Sequence, residues 1–188
     1  DQRVRLAMTL SLDRQRMIRD IWAGIGEVAK GNQPLGSPVS NPDITPWPFN
    51  PDRARALFKE AGWEDRNGDG TMEDKLGAPF AFEFTYAGGS EIGERIARFI
   101  KDSFTAMGIK VTLRPVEWAV YQDLLKTRDF DAITMGWGAN SPESDPIQIF
   151  HSKSIQNQGD NFAQWNNADA DRLIDAGRRE LDPEKRAA

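Results

Sequence analysis

Between Phe80 and Trp137 the hydrophobic period switches four times, and this switching restricts the fold more than any other feature of the chain. Phe80, Phe82, Phe84 and Tyr86 alternate with Ala81, Glu83 and Thr85, the period-two pattern of a strand. Glu91 to Met107 then repeats at helical spacing, with Ile92, Ile96, Phe99, Ile100 and Met107 on the expected buried side and Gly108 at the end. Ile109, Val111 and Leu113 alternate with Lys110, Thr112 and Arg114 in a second strand. Trp118 to Thr127 reads as a short helix, and Phe130 to Trp137 as a third strand entered through Arg128-Asp129. Strand, helix, strand, helix, strand predicts an α/β layer with partly parallel strands.

The flanks are less regular. Val4 to Ala23 is helical in pattern, with Asp13 placed to cap a second helix and Gly24 and Gly26 closing the unit. Gly31 to Pro51 holds six of the eleven prolines, so it is neither helix nor central strand. Trp47 and Phe49 are expected to pin it down, with Trp22, Trp47 and Trp63 packing the fold. Asn50, Pro51 and Gly62 bracket a helix whose Ala54, Leu57, Phe58 and Ala61 form one apolar face. Beyond Trp137, Gly138 to Ser144 reads as a polar turn, and Asp145-Pro146-Ile147-Gln148 as the opening of a short helix. A polar loop from Ser152 to Asn167 carries Phe162 and Trp165. An amphipathic helix from Ala168 to Leu181 is expected to bury Leu173, Ile174 and Leu181, and a last helix begins at Asp182-Pro183.

Composition removes several chemistries. With no Cys there are no disulfides, thiolate catalysis or Cys-ligated zinc, and one His excludes a multi-His metal centre. A net charge of −5 without a basic cluster argues against nucleic acid as a partner. No apolar run is long enough to span a bilayer. No nucleophile elbow, phosphate loop or dinucleotide fingerprint occurs, so nothing argues for an enzyme.

Five places could carry function. Asp65, Asn67 and Asp69 stand at alternate positions of a glycine-containing turn, as in a calcium loop. The twelfth position is Leu76 where an EF-hand has Glu, so Glu73 or Asp74 would have to complete a looser site. A glycine-rich hairpin-like turn explains the same residues without an ion. Asp145, with Glu143 nearby, could anchor a cationic ligand group, although Asp145 and Gln148 also look like a capping box. His151 is expected to be bonded locally at a helix end. The pairs Glu91 with Glu94 and Asp171 with Asp175 read as solvated helix faces. Trp137 ends the third predicted strand, where α/β sheets bind ligands, and can either stack on a ligand or cap the sheet.

In order along the chain, these residues resemble extracytoplasmic solute-binding proteins of family 5, the peptide/nickel type that feeds ABC importers. The resemblance starts at Val4-Arg5-Leu6-Ala7 and Asp13-Arg14 and runs through Pro34-Leu35-Gly36 and Pro46-Trp47-Pro48-Phe49-Asn50-Pro51. It continues over Ala54 to Trp63, Asp65 to Gly70, Arg95 to Ile109, Glu117-Trp118 and Asp129-Phe130-Asp131 to Gly136-Trp137. Asn161-Phe162, Asp171 to Ile174 and Asp182-Pro183 complete it. It implies one lobe of a two-lobed periplasmic-binding-protein-like fold, a mixed sheet flanked by helices. Residues 1–188 would then be most of the second lobe, cut from a longer chain, with the other lobe and the hinge outside it. The resemblance also implies capture of a small solute, peptide-like first, in an interlobe cleft and delivery to an ABC permease. Such a protein is periplasmic or extracytoplasmic, monomeric, open to lipid anchoring through its N-terminus, and needs no cofactor. Trp137, Gly138 and Asn140 would face the cleft. Peptide-binding relatives often carry Asp where Asn140 stands, so Glu143 or Asp145 would have to supply a carboxylate. The alternative is a calcium-stabilised interaction or sensor module on the same fold.

Overall fold

Strand β1 (Ala81–Ala87) is the centre of a three-stranded sheet. In this computed structural model, residues 1–34, 36–138, 145–156 and 159–187 are described. β2 (Lys110–Val116) pairs with β1 in parallel along its whole length, Phe84 opposite Leu113. β3 (Ala132–Ile133) pairs in parallel on the other side, Phe84 opposite Ala132 and Thr85 opposite Ile133. The α/β expectation therefore holds. Antiparallel pairing among the described residues is confined to isolated bridges at Glu64, Glu73 and Pro79.

The chain divides into two compact units. The first comprises residues 1–28, 47–121 and 130–135 and contains the sheet. Its helices are α1 (Gln2–Leu10), α2 (Arg14–Ile21), α3 (Pro51–Glu60), α4 (Glu91–Thr105) and the start of α5 (Trp118–Thr127). Asp13 caps α2 by accepting from the Arg16 N–H at 2.9 Å, and Asn50 caps α3 by accepting from Arg53 at 3.0 Å. Gly62, at φ 95°, ends α3: its N–H bonds Lys59 O, and the Trp63 N–H reaches back to Phe58 O at 2.9 Å. Ala7, Leu10, Ala54, Leu57, Phe58, Phe84 and Ile109 belong to one buried core. Complete burial of a side chain such as Phe58 contributes about 2–3 kcal/mol. Trp63 packs on that core through Phe80, 4.5 Å between ring centroids.

Several expectations are corrected here. The buried stripe of α4 is Ala97, Ile100 and Phe104, continued by Met107; Ile92 lies about 140° of helix rotation from Ala97 and is 48% exposed. Trp47 is 60% exposed. The third strand is two residues long because side chains take over the ladder at both ends. Asp131 Oδ2 accepts the Glu83 N–H at 2.9 Å, and the Tyr121 hydroxyl donates to the Thr134 carbonyl.

The second unit comprises residues 29–46, 122–129 and 136–188. It contains the end of α5, α6 (Ile147–Phe150), a 3₁₀ turn (Ser152–Ile155), α7 (Ala168–Arg179) and α8 (Pro183–Ala187). Buried Asn161 holds its loop as a second backbone would: Nδ2 donates to Trp165 O at 2.8 Å, and Oδ1 accepts from Trp165 N–H at 3.0 Å. Leu173 is 61% exposed and Leu181 is exposed as well, against expectation. No residue of α7 is fully buried, so its apolar side is only partly covered.

Candidate functional site

Trp137 lies four residues past the end of β3, outside any helix or strand, and is 47% exposed. It is therefore neither a strand residue nor a core residue. Its ring lies parallel to Phe162, 6.3 Å between centroids at 13°. Phe162 in turn carries the Arg128 guanidinium, 5.3 Å from its centroid, within cation–π range. Next to Trp137, Gly138 faces open space where a side chain would project. This part of the second unit presents one broad aromatic face beside a backbone without side-chain bulk, which suits an extended or planar ligand group. Asn140 and Glu143 lie outside the described residues.

Asp145 is committed locally. One oxygen accepts the Ile147 N–H at 3.0 Å, and the other pairs with Arg178 Nε at 2.9 Å. The capping box is corrected: Pro146 takes the cap position and gives no side-chain bond, while the Gln148 amide donates to Asp160 at 2.5 Å. Asp145, Arg178, Pro146, Leu173 and Ile174 line a groove of about 550 Å³ within this unit. Leu173 thus forms part of an accessible wall.

His151 is 2% exposed, at the junction of α6 and the 3₁₀ turn. Nδ1 accepts the Lys153 N–H at 3.1 Å. The local bonding was expected, but the Asp171/Asp175 pair is not a solvated face. Asp171 Oδ1 lies 3.4 Å from Nδ1, and Asp175 Oδ1 lies 3.6 Å from Nε2. Hydrogen bonds from the Ser152 hydroxyl and then its N–H hold the Asp171 carboxyl below its ordinary range, with His151 and Lys153 adding to the effect.

No site role was expected after β1 or β2. Gly88-Gly89-Ser90 follow β1, and Trp118 follows β2, 61% exposed and stacked on Tyr121 at 5.3 Å. Trp118 is placed there as Trp137 is after β3, an aromatic just past a strand end. That parallel was available in the sequence.

The turn from Asp65 to Glu73 gathers carboxylates. Ligand atoms of Asp65, Asp69 and Glu73 lie within 4.8 Å of one another, and Glu73 is buried. Asp65 accepts from Gly68 and Gly70, and Asp69 from Thr71 at 2.7 Å. Asn67 Nδ2 bridges Glu73 at 2.8 Å and Asp69 at 3.3 Å. Asp74 is engaged elsewhere, accepting from Leu76 and Ala78, so Glu73 is the acid that completes the set. Hydrogen bonds from Thr71, backbone first, keep the Asp69 carboxyl low, with Asn67 and Lys110 assisting. Three carboxylates gathered this closely are oxygen donors of the kind a hard cation takes, while Asn67 turns its Nδ2 toward two of them and its Oδ1 to the Asp69 N–H.

Residues 1–158 match the sequence model described as bacterial extracellular solute-binding proteins, family 5 Middle. The chain is similar to the oligopeptide-binding protein AppA of Bacillus subtilis, 35% identical over 181 residues, which is 93% of this chain and 32% of that protein. The structure of AppA from Bacillus subtilis in complex with a nonapeptide superposes with a TM-score of 0.90 at 32% identity, covering 100% of this chain and 37% of that one. The oligopeptide-binding protein of Thermus thermophilus, complexed with a pentapeptide, gives 0.86 at 25% identity, covering 100% and 34%. The chain thus spans about a third of the length of the curated relatives it matches.

Proposed function

The chain belongs to the family 5 bacterial extracellular solute-binding proteins, and from that premise we propose that it is part of a protein that captures a peptide-like solute outside the cytoplasm and hands it to an ABC permease. The likeness to AppA solved with a nonapeptide carries this reading. The 188 residues supply most of one lobe of a two-lobed protein. Solute binds between the lobes and favours the closed form that the permease accepts. Trp137 and Gly138 meet the solute, the indole stacking on it and the glycine leaving room for its backbone. Asn140 and Glu143 would complete the contact, and Asp145 would join it only by giving up the Ile147 N–H or Arg178. Among the described residues no helix is long and apolar enough to cross a membrane.

Two measurements test this. Mass spectrometry of small molecules released from the full-length protein should find peptides; a preparation that holds none and binds none contradicts the reading. Trp137→Ala in the same protein should weaken peptide binding about tenfold or more while the melting temperature stays nearly unchanged. A collapsed melt would make Trp137 a packing residue instead.

In the same reading the turn from Asp65 to Glu73 takes a structural calcium ion. Calcium added to the chelated protein should release heat, and Asp69→Ala should abolish that heat.

A further inference from the structure

Arg128 stands where a side chain is normally avoided. Its φ is 61°, in the left-handed region that glycine enters without steric cost. The residue is half-buried, and among the described residues no carboxylate pairs with it. Its guanidinium is spent on carbonyls. Nη1 donates to Leu125 O at 3.0 Å and Lys126 O at 2.8 Å, in the last turn of α5. Nη2 donates to Ile155 O at 3.3 Å and Gly159 O at 2.6 Å, in the loop that leads to Phe162. The same group lies over the Phe162 ring, and Phe162 lies parallel to Trp137. One planar cation therefore joins a helix end, a loop and the ring behind Trp137.

We propose that Arg128 is a positioning residue for the solute site: its fork fixes the Ile155 and Gly159 carbonyls and the Phe162 ring, and so sets the plane in which Trp137 meets the solute. The proposal rests on Trp137 touching solute, as proposed above. A lysine cannot replace it, because an ammonium is a point of charge and cannot span carbonyls on two segments while lying flat on a ring. The left-handed backbone supplies a clean control. Arg128→Gly removes the guanidinium and keeps a residue suited to that φ.

The test uses the full-length protein labelled with fluorotryptophan and read by fluorine NMR, with Trp137→Phe identifying the Trp137 line. In Arg128→Gly and in Arg128→Lys the Trp137 line should shift, while the lines of Trp22, Trp47, Trp63 and Trp118, all in the first unit, stay in place. Binding of a set of alanine tri- to nonapeptides should weaken about tenfold, or 1.4 kcal/mol, in both variants. An unmoved Trp137 line in Arg128→Gly overturns the proposal. So does full restoration by lysine, which would leave charge alone as the cause, or a shift of every tryptophan line, which would make Arg128 a general fold residue. If the Trp137 line moves but peptide binding is unaltered or absent in the parent protein, Arg128 does position Trp137, and it is the assignment of Trp137 to the solute that fails.

Discussion

At the scale of single residues, Asn67 decides what the acidic turn can do. Its amide nitrogen bridges Glu73 and Asp69, the place a cation would otherwise occupy among three carboxylates. Replacing that donor by a carboxylate removes two hydrogen bonds and adds a fourth negative charge. Asn67→Asp should therefore lower the melting temperature in the presence of a chelator and recover it on adding calcium, because the same oxygen becomes a ligand. The parent turn should respond to calcium in the same direction and by less. An Asn67→Asp protein whose melt ignores calcium would reduce the turn to a hydrogen-bonded loop, the role in which Gly68 and Gly70 take φ of 80° and 86°.

At the scale of elements, the link between the 3₁₀ turn and α7 has a defined pH dependence. Asp171 accepts from Ser152 twice, and this holds its carboxyl low in the folded state. A folded value below the unfolded one contributes stability above the unfolded value of 3.8, and that contribution is lost as pH falls through the folded value. Ser152→Ala removes the hydroxyl bond and leaves the N–H bond. The variant should match the parent more closely in strong acid, where both have lost the bond, and fall behind it near neutrality. Melting curves across pH check this; an equal deficit at every pH would mean that only packing was lost. The same elements show how far the sequence could be read. Caps such as Asp13 and Asn50 and the strands with clean period two were legible because local chemistry fixes them. The length of β3 was not, because it depends on how Asp131, just before it, meets the Glu83 N–H of β1 and how the Tyr121 hydroxyl of α5 takes the Thr134 carbonyl. The Asp171/Asp175 pair looked solvated for a similar reason: the buried His151 that meets it is distant in sequence. Leu173 misled in the opposite direction, since helical spacing says which side is apolar and not what covers it. Of the candidate site, Trp137 and Gly138 were readable from their place after a strand; the Phe162 and Arg128 behind them needed the fold.

At the scale of the whole molecule, the sheet and the proposed solute site lie in different units. The first unit holds the sheet, with β1 bonded on both flanks and Thr85 fully buried at its centre. The second has no strand among its described residues and no fully buried residue in α7, and it holds Trp137 and Phe162. Amide exchange should follow this division. The amides of β1 open only with the whole fold, whereas those of residues 136–138 and 159–162 open by local motion at much lower cost. Binding stabilises whatever it orders. Added peptide should therefore slow exchange most at residues 136–138 and 159–162 and change β1 least. Hydrogen-exchange mass spectrometry on the full-length protein, with and without the alanine peptides, reads both segments at once. Protection appearing in β1 alone would move the site to the first unit, where Trp118 stands past β2, and would leave Trp137 as an exposed ring with no solute to meet.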